Sequence, residues 1–182
     1  MKTRDIALMG FFIALVTAGA FIRIPLPFLS VTFQMLFALL AGIILGPVKG
    51  AAAMAVYMAA GLAGLPVFSL GGGPGYVLQP SFGFIIGFLP GAYAAGFAYN
   101  RLSRTGGYLR ILAAYMIGAA SVYFIGIAYM YVILTFYLQK PGTALAGTII
   151  SMLPYMAKDI VLGLAASFLG RFIPLMKKEA SS

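Results

Sequence analysis

An aspartate inside an apolar stretch is the residue of this sequence that most needs a chemical explanation. Asp159 is the only acidic residue between Asp5 and Glu179, and it lies in an apolar segment, residues 149–169, that is long enough to cross a bilayer. A carboxylate at that depth costs at least about 2.5 kcal/mol, so we expect it to face a protein interior or cavity and to meet a donor there. Its neighbour Lys158 is the one basic residue of the same segment. The two residues form either a structural ion pair or the charged part of a ligand site.

Composition assigns the chain to the polytopic membrane proteins. Its 182 residues are 63% hydrophobic and 8% charged. The formal charge is +9, but the basic residues are dispersed among apolar runs, and this argues against nucleic acid as a partner. The absence of cysteine and histidine excludes thiol chemistry, disulfides and the commonest zinc ligand sets. The sequence therefore predicts no metal site and no cofactor.

Proline, glycine and charged residues divide the chain into six apolar segments, which predict an all-α fold with six transmembrane helices in one domain, residues 1–182. The predicted helix cores are residues 5–24, 31–45, 49–64, 81–100, 109–138 and 146–173. The second and third are short for a bilayer that needs about 20 residues, whereas the fifth and sixth are long enough to tilt or protrude. The first apolar run is too long for the core of a signal peptide, so we interpret it as a membrane helix.

The distribution of basic residues predicts the orientation. An even number of helices places both termini on one side, together with nine basic residues: Lys2, Arg4, Lys49, Arg101, Arg104, Arg110, Arg171, Lys177 and Lys178. The opposite side has only Arg23 and Lys140. Because positive charge accumulates in cytoplasmic loops, we expect a multi-pass protein of the plasma membrane, in contact with lipid, with both termini cytoplasmic.

Small residues recur at every fourth position in several segments. Two of these sets are Gly10, Ala14 and Ala18 in the first segment, and Gly83, Gly87, Gly91 and Ala95 in the fourth. Each set places a smooth stripe along one helix face, where another helix can approach closely. We expect the fourth segment's stripe to pack deep within the bundle. The first segment's stripe could pack internally or receive a helix from another protein, and the spacing alone does not choose.

The remaining polar residues predict a small-molecule pocket. The glycine-rich loop at residues 71–75 lacks the lysine of a phosphate-binding loop, and no strand precedes it, so nucleotide binding is not expected. A hydrolase would need a nucleophile with a base, and the chain has no histidine and one embedded carboxylate. What remains is a ligand cavity with few polar groups. Its candidate members are Asp159, Lys158, Gln79 and Tyr76, with Tyr115, Tyr123 or Tyr155 beside them.

Several segments together resemble the BioY family, the biotin-binding S components of energy-coupling factor (ECF) transporters. They are GGGPGYVLQPSFGFIIGF at residues 71–88, VTFQ at 31–34, AGIILGP at 41–47, FYLQKP at 136–141, and Pro154-Tyr155 with Asp159. The resemblance covers almost the whole chain, and the segments stand in the family's order.

The resemblance implies an ECF S-component-like fold that captures biotin from outside the cell and has no catalytic activity. The partners that it implies are a transmembrane T component and two ATPase subunits. In that family the site opens outward, and the first loop, residues 25–30, would close over it. The small-residue motif that contacts the T component would correspond to Gly10, Ala14 and Ala18.

Biotin fits the candidate residues. Its ureido ring offers N–H donors that a buried carboxylate such as Asp159 can accept. The resemblance adds Gly73, from the glycine loop that precedes Gln79, to the candidate ligand-binding residues. The apolar ligand atoms would contact aromatic walls supplied by Tyr76, Phe82, Tyr115 and Tyr155. The family pattern places a lysine three residues after the aspartate, where this chain has Leu162. Lys158 is the nearest basic replacement for holding the ligand's carboxylate, although adjacent helical residues point about 100° apart.

Two alternatives stay open at the level of sequence. The first keeps the fold but changes the ligand to another carboxylated vitamin or a biotin precursor. The second is an integral-membrane enzyme or assembly protein in which Asp159 and Lys158 act as acid and base.

Overall fold

The computed structural model describes residues 2–25, 30–102, 107–139 and 145–169, and these are mostly helical. The α-helices in these ranges are α1 (Thr3–Phe21), α2 (Gln34–Leu45), α3 (Pro47–Leu62), α4 (Phe82–Arg101), α5 (Gly107–Val132) and α6 (Leu145–Leu169). A 3-10 turn, Pro74–Leu78, precedes α4, and a π-helical turn, Ile133–Tyr137, extends α5. The predicted helix order is therefore confirmed.

The all-α prediction is incomplete between α1 and α2. There β1 (Arg23–Pro25) pairs with β2 (Ser30–Thr32) in an antiparallel hairpin. Strands of three residues contain too few alternating positions to give a period-two signal, and the proline in β1 conceals the strand further. The predicted closure concerns the first loop, residues 25–30, of which residues 26–29 lie outside the described residues.

Several predicted helix boundaries differ from those in the structure. The hairpin accounts for two of them, since α1 ends at Phe21 and not at residue 24, and α2 begins at Gln34 and not at residue 31. The third helix begins at Pro47 and not at Lys49, because proline is favoured in the first turn of a helix. Gly46, with a φ of 89°, separates α2 from α3. The sixth helix is described as far as Leu169. Residues 170–173 of the predicted helix core lie outside the described ranges. So do five basic residues used for the predicted orientation: Arg104, Lys140, Arg171, Lys177 and Lys178.

Four stretches of the described chain are long and apolar enough to cross a membrane: Thr3–Phe21, Phe82–Arg101, Gly107–Tyr137 and Ala146–Phe168. α2 and α3 are apolar but have only 12 and 16 residues. The prediction of a membrane protein with two short helices is thus confirmed, and four of the six helices meet the length for a complete crossing.

α4 is the centre of the bundle and packs against α2, α3 and α5. Its small-residue stripe is buried along the whole interface with α5, as predicted. A Cβ atom at Gly87 would lie 3.0 Å from backbone atoms of Val122, and one at Gly118 would lie 2.8 Å from the Gly91 carbonyl oxygen. The two backbones therefore approach more closely than side chains at these positions would permit. Because α4 and α5 both contribute residues to the cavity described next, the distance between these two helices sets the width of that cavity.

Candidate functional site

A cavity of about 300 Å³ lies where α2, α4, α5, α6 and the loop between α3 and α4 meet. Its walls are aromatic and aliphatic, with polar groups at a few places, as is usual for a small-molecule site. The lining residues are Thr32, Gln34, Met35, Ser69, Leu70, Tyr76, Gln79, Pro80, Ser81, Phe84, Ile85, Phe88, Tyr123, Met152, Tyr155, Lys158 and Asp159. Within the described ranges, no three acidic, histidine or cysteine side chains come together as a metal site would require.

Asp159 is buried on the cavity wall, with only 4% of its surface exposed. Tyr123 of α5 donates its hydroxyl hydrogen to Oδ2 of this carboxylate at 2.6 Å. The Lys158 Nζ atom pairs with Oδ1 at 2.6 Å, so this oxygen has a neutralising cation beside it. A carboxylate oxygen has more than one acceptor position, so Oδ1 can accept a further hydrogen bond from the cavity side. This oxygen is the natural acceptor for a donor carried by a ligand.

Lys158 links α6 to the start of α2. Besides its contact with Asp159, its ammonium group donates to the backbone carbonyl oxygen of Thr32 at 2.7 Å. The long lysine side chain thus brings its charge into the cavity, although its Cα–Cβ bond points about 100° away from that of Asp159 around the helix. The cavity contains one cation and one anion among its described lining residues, so its charges cancel before a ligand enters.

A chain of hydrogen bonds runs behind this ion pair. The Thr32 hydroxyl donates to Gln34 Oε1 at 3.2 Å, Gln34 Nε2 donates to the Tyr57 hydroxyl at 2.6 Å, and Tyr57 donates to the Val67 carbonyl oxygen at 2.9 Å. The chain connects the end of β2, α2, α3 and the loop that follows α3. It gives the buried polar atoms hydrogen-bond partners, and it joins the start of α2 to the loop that follows α3.

The glycine-rich loop closes another side of the cavity. Gly73 donates its backbone N–H to the Gly61 carbonyl oxygen at 2.7 Å, which ties the loop to the end of α3. Gly71 and Gly73 have φ angles of 111° and 106°, a conformation that side chains other than glycine adopt rarely. The hydroxyls of Ser69 and Tyr76 lie 3.2 Å apart on the cavity side of this loop. The run of glycines therefore serves the backbone geometry of the loop.

The structure brings together five of the eight ligand-site candidates from the sequence: Asp159, Lys158, Gln79, Tyr76 and Tyr155 line the cavity. The other three lie behind it. Gly73 supports the loop, and Phe82 packs edge-to-face against Tyr76, with their ring centroids 6.3 Å apart. Tyr115 is fully buried beneath Gly163 of α6, and its hydroxyl has no hydrogen-bond partner in the described part of the chain.

Several lining residues were absent from the ligand-site candidates. Tyr123 was considered only as one of three tyrosines, because nothing in the sequence tells which of them faces α6. Gln34 is part of the VTFQ motif at residues 31–34. The one sign in the sequence that it lines the cavity is a single amide at the start of an apolar helix. Thr32 ends β2 and Ser69 lies in the loop after α3, and helical periodicity covers neither position.

The partner-surface candidates Gly10, Ala14 and Ala18 are all exposed on one side of α1. A Cβ atom at Gly10 would meet no other atom within 4 Å. The opposite side of α1 is buried through Phe12, Val16 and Ala20. Within the described part of the chain, this stripe is therefore left uncovered by other helices.

Comparison with known proteins identifies the family. The BioY family model matches residues 1–178 of the chain. The chain belongs to the BioY family. A probable biotin transporter BioY of Lysinibacillus sphaericus is 35% identical over 92% of this chain and 85% of its own length. A putative biotin transporter, BioYB, of Bacillus subtilis is 39% identical over 93% of this chain and 86% of its own.

A solved structure supports the same fold for this BioY family member. The S component for biotin from an ECF-type ABC transporter matches 96% of this chain and 94% of its own, with a TM-score of 0.81 and 22% sequence identity. At that identity the likeness concerns the fold. The arrangement of helices around the cavity is thus shared with an S component, whereas the side chains in the cavity have to be argued from this chain itself.

Proposed function

We propose that this chain is the substrate-capturing S component of an ECF-type uptake transporter and that its substrate is biotin. The single observation that carries the proposal is the Asp159 carboxylate, buried on the wall of a cavity of about 300 Å³ and paired there with Lys158. The names of the BioY relatives point to the same substrate.

The ligand's ureido group binds at Asp159, where an N–H donates a charge-assisted hydrogen bond to Oδ1. Its apolar ring and chain contact the aromatic walls at Tyr76, Phe88 and Tyr155, which supply buried apolar area. Its carboxylate binds at Lys158, the cation among the described lining residues. Gln79 adds an amide at the loop side of the cavity. Gly73, Phe82 and Tyr115 act indirectly, by supporting the loop and the walls.

The helices cross the plasma membrane as one six-helix domain, residues 1–182, with both termini in the cytoplasm. Lys49 forms a 2.6 Å ion pair with Asp5 where α1 and α3 begin, at the membrane side opposite the cavity. α2 and α3 are shorter than a membrane crossing, and the hairpin and loop beside them complete their crossings. Non-helical backbone is tolerated at that depth where it lines a cavity.

Transport requires partners that this chain does not contain. A transmembrane T component binds the exposed stripe of Gly10, Ala14 and Ala18, and two ATPase subunits supply the energy. Small residues on α1 allow the close backbone approach that membrane helices use for association. The chain itself catalyses no reaction and returns its ligand unchanged.

Equilibrium binding of labelled biotin to the detergent-purified full chain tests this function. We expect saturable binding at one site, competition by unlabelled biotin, and recovery of chemically unchanged ligand. If a large excess of unlabelled biotin fails to compete while another carboxylated vitamin succeeds, the substrate is wrong. A reaction product recovered from the bound ligand would refute the absence of catalysis.

The assignment of the ligand's carboxylate to Lys158 has a separate test. Lys158→Ala should weaken biotin binding by about tenfold or more, because a buried carboxylate would lose its cation. The methyl ester of biotin has no carboxylate charge, so its affinity for Lys158→Ala should differ from that for wild type by less than about threefold. Lys158→Arg, which keeps the charge, is the matched control. Equal losses for the acid and the ester would show that Lys158 acts only on Asp159 or on the packing of the hairpin.

A further inference from the structure

Gln34 has a role in the cavity that the ion pair does not explain. It is the first residue of α2, it is 5% exposed, and its side chain lines the cavity. Gln79, by comparison, is exposed at the loop. A buried amide has two donors and two acceptor positions, and each one left unpaired away from water costs free energy.

The hydrogen-bond chain fixes which way this amide faces. The Val67 carbonyl oxygen can only accept, so the Tyr57 hydroxyl must use its single hydrogen there. The Tyr57 oxygen must then accept a hydrogen from Gln34, which places Nε2 of the amide at Tyr57. The amide oxygen consequently faces Thr32, whose hydroxyl donates to it. A carbonyl group two links away thus determines the orientation of Gln34.

One N–H of the Gln34 amide remains after these bonds are counted. Nε2 uses one hydrogen on Tyr57, and no second acceptor for it occurs among the described residues. The segment that carries this donor is held from the other side by the bond between Lys158 and the Thr32 carbonyl oxygen. The cavity therefore presents a fixed neutral donor at Gln34 together with an anionic acceptor at Asp159.

We propose that Gln34 is a specificity-determining residue that donates this N–H to the carbonyl oxygen of a cyclic urea whose ring N–H binds Asp159. This inference rests on the proposed function, in which the ligand is biotin. A urea carries its acceptor oxygen and its two donor nitrogens on one carbon atom, so one donor and one acceptor on the protein recognise it as a unit. Tyr57 is a positioning residue, since it orients the amide without lining the cavity.

Ligand-selective binding tests the contact. The probes are biotin, desthiobiotin, which keeps the urea, and 2-iminobiotin at neutral pH, where a guanidinium replaces the urea and no acceptor oxygen remains. Gln34→Met preserves length and removes hydrogen bonding. We expect it to weaken biotin and desthiobiotin about tenfold to a hundredfold and to change 2-iminobiotin by less than about threefold. Gln34→Glu should shift the preference toward 2-iminobiotin, because a carboxylate attracts the guanidinium.

Tyr57→Phe tests the orienting hydroxyl in a variant that keeps the ring and its packing. We expect it to weaken biotin about threefold to tenfold relative to 2-iminobiotin, since the amide is no longer fixed. Tyr129→Phe is the matched control, because Tyr129 also donates to a carbonyl oxygen of the same loop, that of Val77, but lies outside the cavity lining. It should leave the ratio of the two affinities unchanged.

The outcomes separate this inference from the proposed function. Equal losses for all three ligands in Gln34→Met and Tyr57→Phe would overturn the inference and leave biotin as the substrate. Failure of the folded wild-type chain to bind biotin would overturn both. Ligand-selective loss in both variants, absent from Tyr129→Phe, supports the contact.

Discussion

The small-residue stripes of α1 and α4 have the same spacing and opposite environments. On α4, the four stripe residues are buried against α5, which presents glycines of its own, among them Gly118. On α1, the three stripe residues are exposed along their whole length in the described structure. Spacing therefore predicts a close approach but not the partner, and the partner is internal only where a neighbouring helix offers matching small residues.

The buried stripe also positions the candidate site. Gly87 touches the backbone of Val122, and the next residue along α5, Tyr123, donates to the carboxylate of Asp159. Phe84 of α4 packs edge-to-face on that tyrosine, and with Phe88 it forms part of the cavity wall. The distance between α4 and α5 thus sets both the width of the cavity and the position of the tyrosine. The exposed stripe on α1 has no such connection to the cavity lining.

The largest expected effect comes from placing leucine on the buried stripe. Gly87→Leu should lower the free energy of unfolding by about 3 kcal/mol or more, because a Cβ atom there already lies 3.0 Å from backbone atoms of Val122. Thermal unfolding of the purified protein in detergent measures the change. The matched control is Gly10→Leu on the exposed stripe, which should cause no loss and can gain up to about 1 kcal/mol, because leucine favours a helix interior more than glycine does. Similar losses in both variants would end the distinction between the two stripes.

The second prediction separates capture from transport at the exposed stripe. Ala14→Trp should abolish biotin uptake by cells that contain the complete transporter, because the bulky ring prevents close helix approach. Biotin binding to the isolated chain should be unchanged within about twofold, since Ala14 is remote from the cavity lining. Ile117→Trp, at an exposed position of α5, is the control and should retain uptake. Loss of binding together with uptake would mean that the α1 stripe packs internally.

The smallest expected effect concerns how α1 is attached to the bundle. Lys49→Ala removes the ion pair with Asp5, in which the lysine side chain is 42% exposed. Since solvent screens such a pair, its loss should lower the midpoint of thermal unfolding only slightly, and the difference from wild type should shrink at high salt. Unfolding at two salt concentrations measures it. A loss as large as that of Gly87→Leu would show that α1 depends on this end contact more than on its buried face.

Sequence reasoning recovers the parts of this molecule that helical periodicity and charge determine. The six apolar segments, the short second and third helices and the buried α4 stripe all follow from composition and spacing. Asp159 and Lys158 stand out because charges are rare in apolar segments. Their mutual contact does not follow, since it depends on a flexible lysine side chain that also reaches the Thr32 carbonyl oxygen.

What the sequence leaves undetermined depends on contacts between distant residues. Tyr115 and Tyr123 are both buried on α5, and only the position of α6 decides that the second one binds Asp159. Gln34 resembles an ordinary residue at a helix start until Tyr57, 23 positions later, is placed beside it. The hairpin escapes detection because its strands are too short to show alternation. Tertiary packing, and not local preference, sets these three features.

Comparison of two carboxylate substitutions most directly tests the claim that the cavity at Asp159 is the biotin site. Asp159→Asn and Asp5→Asn each remove one negative charge that pairs with a lysine, but only Asp159 lines the cavity. Equilibrium binding of biotin to the purified, folded variants should show a loss of about a hundredfold or more for Asp159→Asn and a change within about twofold for Asp5→Asn. Unchanged biotin affinity in Asp159→Asn would contradict the account.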